Sequence, residues 1–169
     1  EDIDAVIISD YNKGLCSKEI VRVVIKEANA LNISVFVDPK GTNWEKYDGA
    51  DLITPNKKEA ENILGYKLNS DEDFEEACVK ICSDFNIAAC LITRGSDGMS
   101  YISENEKYHV KSEAREIFDV SGAGDTVIAA FVVSILVGLD PKFATEFSNR
   151  AAGIVVGHIG TSAIKINDL

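Results

Sequence analysis

Basic side chains are scarce in this chain of 169 residues: 17 Lys and Arg stand against 28 Asp and Glu, which gives a formal net charge of −11. Nucleic acids and anionic membranes would both repel a surface of that charge, so neither is an expected partner. A small anionic ligand remains open, because local backbone amides can hold one. The composition therefore disfavours broad polyanion binding but not the binding of a phosphate.

Cysteine and histidine are also few, with four Cys and two His. Four cysteines in a chain of this length do not make a disulfide framework. Cys78 and Cys82 share a helix face at spacing i, i+4, but neither His109 nor His158 lies near them in the sequence. A zinc site is therefore disfavoured, and reduced thiols in a cytoplasmic protein are the better interpretation.

Long apolar runs are missing as well. The longest, Val127–Val137, falls short of the ~20 residues that a membrane-spanning helix needs. The first residues, Glu1 to Asp4, are acidic, whereas a signal peptide starts with basic residues. The chain has no initiator Met and opens almost at once on a buried-strand pattern, Ala5 to Ile8. We expect such a start from a shortened piece of a longer protein at least as readily as from a natural N-terminus.

Apolar strands and amphipathic helices alternate along the chain. The predicted strands are Asp4–Ser9, Ser34–Val37, Asp51–Thr54, Ala88–Thr93, Met99–Ser103 and Lys107–Ser112. One predicted helix begins after Ser17, and four more cover Asn56–Leu64, Asp71–Phe85, Gly122–Val137 and Pro141–Val156. This order predicts a single α/β domain over residues 1–169: a three-layer arrangement with a mostly parallel sheet, helices on both faces and an edge hairpin. The two hairpin strands are expected to expose one face each. The helix Gly122–Val137 is expected to be buried all round, because it is almost entirely apolar.

The most informative motif is the segment Asp119–Thr126, which leads into that apolar helix. Gly122 and Gly124 leave backbone N–H groups uncovered at a helix start, which suits phosphate oxygens. Asp125 is costly beside an anion unless it has a chemical task, such as accepting the proton of an attacking hydroxyl. The alternative is structural: the glycines permit close helix–sheet packing, and Asp125 favours the helix N-terminus.

A second motif, Asn56-Lys57-Lys58-Glu59, follows the third predicted strand. Asn at the N-cap with Glu three residues later forms a capping box, a sufficient structural explanation. The same two side chains could instead orient water around Mg²⁺, which retains much of its hydration shell. One pair could serve both purposes.

Three further features are weaker. The glycines of Thr93–Gly98 allow a ligand close to the backbone, and Thr93 and Arg94 could donate to phosphates, although a tight loop into the hairpin explains the segment equally well. The polar segment Ser9–Gly14 lies at the strand end where a substrate loop belongs, as any strand–helix turn does. Asn149 lies within the last helix, where an exposed position is the simpler interpretation. No P-loop and no Gly-x-Gly-x-x-Gly fingerprint is present.

Taken in order, these motifs resemble the ribokinase-like, or PfkB, family of carbohydrate kinases. Asp119–Asp125 with the following helix is similar to the C-terminal signature of that family, and Asn56-x-x-Glu59 and Thr93-Arg94-Gly95 match its order and spacing. The segments Ser9–Gly14, Val37–Gly41 and Thr54-Pro55-Asn56 resemble those members that phosphorylate heptose 7-phosphate on the route to ADP-heptose and lipopolysaccharide.

The resemblance implies a role for each matching residue. Asp125 would be the base for the sugar hydroxyl, beside an anion hole of Gly122, Ala123 and Gly124. The nucleotide and its Mg²⁺ would be held by Asn56, Lys57, Lys58, Glu59, Thr93, Arg94, Gly95, Gly98 and Asn149, with Asn56 and Glu59 organising the metal. Asp119, with carbonyls of the 156–160 loop, would hold a monovalent cation such as K⁺. ATP and a sugar phosphate are the implied small-molecule partners, and a homodimer remains open.

One departure from the family pattern is large. The lid strands and the Gly-rich sugar-gripping segment of family kinases do not precede Glu1, and no adenylyltransferase module follows Leu169. We therefore expect the nucleotide-binding part of a kinase, with little or no activity by itself. The alternatives are another family kinase acting on ribose, fructose or a fructose phosphate, a nucleotide-binding domain without catalysis, and an α/β interaction module that binds no nucleotide.

Overall fold

A computed structural model describes residues 3–113, 118–160 and 163–164. The strands are β1 (Ala5–Ser9), β2 (Ser34–Asp38), β3 (Leu52–Ile53), β4 (Ala89–Thr93), β5 (Met99–Ser103) and β6 (Lys107–Val110). The helices are α1 (Lys18–Ala30), α2 (Lys57–Leu64), α3 (Asp71–Phe85), α4 (Ala123–Leu136) and α5 (Pro141–Val155). Two short 3₁₀ turns cover Trp44–Tyr47 and Gly95–Asp97. No helix in the described part of the chain is both long and apolar enough to cross a membrane.

The strands form one mixed sheet in the order β1-β2-β3-β4-β5-β6. The first four strands run parallel, and β5 and β6 add an antiparallel hairpin at the edge. This confirms the predicted fold class. All four parallel strands therefore end at the same edge of the sheet, where their carboxyl-terminal loops meet.

Alternation along the strands builds two cores. Val35 and Val37 point to the face covered by α1, α2 and α3, whereas Phe36 points to the face covered by α4 and α5. The same alternation separates Cys90 from Leu91 in β4. The helices on both faces thus follow from parallel strands whose central residues are apolar on both sides.

The expected all-round burial of α4 is wrong. Its buried residues include Val127, Ile128 and Phe131, which pack on the sheet and on α5. Val133 is 58% exposed and Leu136 48%, and Val137 just beyond the helix is 72% exposed. Apolar composition alone does not say how many sides of a helix have a neighbour, and no described residue covers this side.

The expected exposed face of β5 is also wrong. The residues Met99 to Ile102 are all buried, because α3 packs on one side of the strand and α5 on the other. Of the two hairpin strands, β6 is the one that behaves as an edge strand, with Lys107 exposed and its other residues half-buried.

Candidate active site

A cavity of about 700 Å³ opens at the carboxyl ends of the parallel strands. It brings together most of the residues that the sequence motifs single out. These are Asn56, Lys57, Glu59, Thr93, Arg94, Gly95, Gly98, Gly122, Ala123, Gly124, Asp125 and Asn149. Lys58 is exposed and Asp119 is half-buried, and neither lines the cavity.

The start of α4 forms one wall of this cavity. Gly122 is the N-cap in the left-handed conformation (φ 81°), and no side chain caps the helix. Asp125 stands in the first turn, with both carboxylate oxygens in hydrogen bonds. Ser9 Oγ donates to Oδ1 at 3.1 Å, and Tyr11 OH donates to Oδ2 at 2.6 Å. The Asp125 carboxylate thus lies beside the first-turn amides of α4. At this end of the helix the dipole favours the binding of an anion.

The Asn56 motif is a complete capping box. Asn56 Oδ1 accepts from Glu59 N at 2.9 Å, and Glu59 Oε2 accepts from Asn56 N at 3.0 Å. The other Glu59 oxygen accepts from Lys40 Nζ at 2.6 Å. The structural interpretation of this motif is therefore confirmed, while both side chains still line the cavity.

Asp38, at the end of β2, is a further carboxyl of the cavity. Desolvation by burial raises its pKa to about 7, and the negative charges of Glu59 and Asp125 act in the same direction, while Lys40 acts against them. The acid groups of the cavity therefore repel one another, and a cation bound among them would relieve that repulsion.

Asp10, which also lines the cavity, forms a buried ion pair through Oδ2 with Lys46 Nζ. Asp10 Oδ2 also accepts from Tyr47 OH at 2.7 Å, and Asp10 Oδ1 accepts from Asn12 N at 2.7 Å. Desolvation alone would raise the pKa of Asp10, but these hydrogen bonds outweigh it and hold the pKa below its usual value. The pair joins the loop after β1 to the 3₁₀ turn after β2.

The Thr93 motif forms a tight loop at the hairpin entrance. Arg94 N donates to Gly98 O at 2.8 Å, and Gly98 N to Gly95 O at 3.2 Å. The Arg94 guanidinium lies 4.3 Å from the centroid of the Phe74 ring and donates to Asp71 Oδ1 at 2.6 Å. Its charge is therefore already paired with α3, although the residue lines the cavity. Within the described ranges its Nε is buried without a hydrogen-bond partner.

Asn149 and Asp119 have structural contacts of their own. Asn149 is buried rather than exposed, so the simpler interpretation of that position is wrong, and its Nδ2 donates to Lys111 O at 2.7 Å. Asp119 accepts from Ser121 N at 2.9 Å and from Gly160 N at 3.1 Å, which ties it to the 156–160 loop. The backbone hydrogen bond from Ser121 lowers the pKa of Asp119.

The sequence motifs assign no role to several of the residues that line the cavity. Asp38 belongs to the segment Val37–Gly41, and its place at the carboxyl end of β2 is the signal that marks a ligand-facing residue. The apolar part of the wall is formed by Met99, Val120, Val127, Ala152 and Val156. Such residues have no local signature, because any core position has the same composition.

A cation has plausible oxygen ligands in the cavity. The amide of Asn56 and the carboxylates of Asp38, Glu59 and Asp125 are all hard oxygen donors, which suits Mg²⁺. Among residues 3–113, 118–160 and 163–164 no group of three or more His, Cys, Asp or Glu has ligand-like spacing. An ion there would keep water ligands, as Mg²⁺ commonly does.

Comparisons with known proteins show the family and the fold of the chain. Residues 1–167 match the family described as pfkB family carbohydrate kinase. The bifunctional protein HldE of Vibrio parahaemolyticus is 44% identical over 96% of this chain, which spans 34% of that relative's length. Ribokinase of Arabidopsis thaliana, solved with ribose and ATP, has a TM-score of 0.77 at 25% identity over 86% of this chain and 48% of its own. Phosphofructokinase-2 of Escherichia coli, solved with potassium, shares the fold, with a TM-score of 0.84 at 19% identity over 96% of this chain and 53% of its own.

Proposed function

Because this chain belongs to the pfkB family of carbohydrate kinases, we propose that the protein containing it transfers the γ-phosphoryl group of ATP to a hydroxyl of a sugar phosphate. The acceptor is O1 of heptose 7-phosphate, which gives heptose 1,7-bisphosphate. The observation that carries the proposal is the Asp125 carboxylate beside the uncapped N-terminus of α4.

Asp125 takes the proton of the acceptor hydroxyl as the general base. The amides of Gly122, Ala123 and Gly124 hold the transferred phosphoryl group, and Ala123 N, which donates to Val120 O at 3.2 Å, shares its N–H between that carbonyl and the phosphoryl oxygens. Catalysis of this kind rests on positioning and electrostatics rather than on covalent chemistry of the protein. A carboxylate among phosphates would only weaken pure nucleotide binding, which is why we prefer a kinase to a non-catalytic nucleotide-binding domain.

ATP fits the cavity by the chemistry of its walls. The apolar wall with buried Asn149 suits the base, and the first turn of α4 suits the phosphates. Asn56 and Glu59, with Asp38 beside them, would hold Mg²⁺ with its water ligands, and the ion would neutralise phosphate charge. Lys57 would add positive charge at the phosphates. Asp119 and the 156–160 loop would hold K⁺ outside the cavity.

The choice of heptose 7-phosphate rests on the segments Ser9–Gly14, Val37–Gly41 and Thr54-Pro55-Asn56, which lie at the carboxyl ends of β1, β2 and β3. A panel of acceptors (heptose 7-phosphate, ribose, fructose and fructose 6-phosphate) would separate this proposal from other kinases of the family. Preference for ribose or fructose would move the proposal to that substrate.

The central test is Asp125→Asn in the full-length protein. We expect turnover to fall at least ~1,000-fold, because the general base is lost, while ATP affinity stays within about threefold. ADP release measures the first and isothermal titration calorimetry the second. Equal activity of the variant and the wild type would refute the assignment.

A further inference from the structure

The end of β1 contacts the base from two sides. Ser9 and Tyr11 lie 116 and 114 residues away from Asp125 in the sequence, yet each places a hydroxyl on a different oxygen of its carboxylate. We propose that Ser9 and Tyr11 are positioning residues, which hold the Asp125 carboxylate in the orientation that takes the acceptor proton. This inference rests on the proposed function.

The direction of both hydrogen bonds follows from charge. An ionised carboxylate only accepts hydrogen bonds, so both hydroxyls donate to it. Because each carboxylate oxygen accepts from one hydroxyl, rotation of the carboxylate about the Cβ–Cγ bond of Asp125 would break both hydrogen bonds. Each oxygen has a second lone pair, so an acceptor hydroxyl can still bind to one of them. The proton of that hydroxyl then passes to Asp125 while its oxygen bonds to the γ-phosphorus and ADP leaves.

Packing does not explain the position of Tyr11, whose side chain is 60% exposed. Its neighbour Asp10, by contrast, is buried and fixed by Lys46 and Tyr47. Asp10 N also donates to Asp38 O at 3.0 Å, which ties the loop to the end of β2. A rigid anchor thus carries an exposed side chain to the base.

The phenol of Tyr11 remains a donor under ordinary conditions. Its hydrogen bond to the Asp125 carboxylate raises the pKa of Tyr11 above the usual value. Ser9 is half-buried at the strand end and Tyr11 is exposed in the loop that follows, and they donate to different oxygens of Asp125. The two donors therefore hold the carboxylate between them.

The experiment uses the full-length protein with heptose 7-phosphate and ATP. We expect Tyr11→Phe and Ser9→Ala each to lower kcat about tenfold, because a charge-assisted hydrogen bond to the base is lost. The KM for ATP stays within about twofold. Tm stays within about 2 °C for Tyr11→Phe, because the lost hydroxyl belongs to an exposed residue. Ser9→Thr, which keeps the hydroxyl, restores most of the rate. Tyr66→Phe, at an exposed tyrosine outside the cavity, is the matched control.

The outcomes separate the two proposals. If Asp125→Asn is inactive but Tyr11→Phe and Ser9→Ala keep the wild-type kcat, positioning by these hydroxyls is wrong and the proposed function stands. A change confined to the KM for ATP, or a loss of kcat in Ser9→Thr as large as in Ser9→Ala, also overturns the inference. An inactive wild type or an active Asp125→Asn overturns the proposed function, and this inference with it.

Discussion

The substitution Lys46→Met removes the positive charge of the buried Asp10–Lys46 ion pair, and it tests how strongly this pair anchors the loop after β1. Lys46→Met keeps the length and apolar stem of the side chain but leaves Asp10 without its counter-charge. The side chains of Lys46 and Asp10 are 8% and 2% exposed, so water cannot replace the lost partner. Breaking such a pair costs about 3–5 kcal/mol. Asp10 retains donors in Tyr47 OH and Asn12 N, so we expect the lower end, about 3 kcal/mol.

Urea denaturation at pH 7 measures this loss, with the fluorescence of Trp44 as the probe. Trp44 is the single tryptophan of the sequence and is fully buried near Lys46. For a chain of this size, 1 kcal/mol corresponds to ~2–4 °C, so Tm should fall by about 10 °C. The double variant Asp10→Asn/Lys46→Met removes both charges, and we expect it to recover more than half of the lost free energy of unfolding.

The loss should depend on pH in a defined direction. The depressed pKa of Asp10 in the wild type gives stability that is present above the unfolded pKa and is lost as the pH falls through the folded value. In Lys46→Met, burial without a cation raises the pKa of Asp10, so protonation relieves the variant instead. The difference between the two proteins therefore narrows from pH 7 to about pH 4. A loss below about 1 kcal/mol at pH 7, or a loss that is the same at both pH values, would refute the reasoning.

Two further perturbations test the hairpin loop and the capping box. Gly98 has φ +93°, and a Cβ there would lie 1.9 Å from Val110 O, so Gly98→Ala should cost about 3 kcal/mol or more in urea denaturation. Gly95 (φ +64°) has open space around its Cβ position, so Gly95→Ala should cost only about 1 kcal/mol, and equal losses would contradict the structure. Asn56→Ser keeps an N-cap oxygen and should preserve Tm, whereas Asn56→Ala should lose about 1 kcal/mol. Both Asn56 variants should bind Mg·ATP several-fold more weakly than the wild type in calorimetry. Excess EDTA should abolish this difference in affinity. Equal binding by Asn56→Ser and the wild type would exclude a metal role for the amide.

Local signals account for most of the fold. The bounds of α3 were predicted residue for residue, because Ser70 caps its start and Asn86 (φ 52°) ends it in the left-handed conformation. The burial of β5 and the exposed side of α4 were not predictable in this way. Both depend on which elements cover a face, and that is a property of the assembled sheet rather than of a segment.

The same distinction between local and long-range features applies to the candidate active site. The Gly122–Asp125 helix start and the Asn56 capping box are each contained within four consecutive residues, so the sequence displays them directly. The contacts of Ser9 and Tyr11 with Asp125 join distant parts of the chain, and so does the pair of Lys46 with Asp10. Nothing in the spacing of these residues indicates a contact, and only the parallel order of the strands brings them to one edge.

The missing side-chain cap at α4 couples the helix to whatever binds there. No side chain accepts from the first-turn amides, although Ala123 N donates to Val120 O at 3.2 Å, so a phosphate that binds there would supply the acceptor that the helix start lacks. A ligand that binds only the folded chain raises its free energy of unfolding. At a ligand concentration of 100 times Kd, this increase is about 2.7 kcal/mol. Where such a ligand is present, part of the stability of α4 would thus be supplied by the ligand rather than by the sequence.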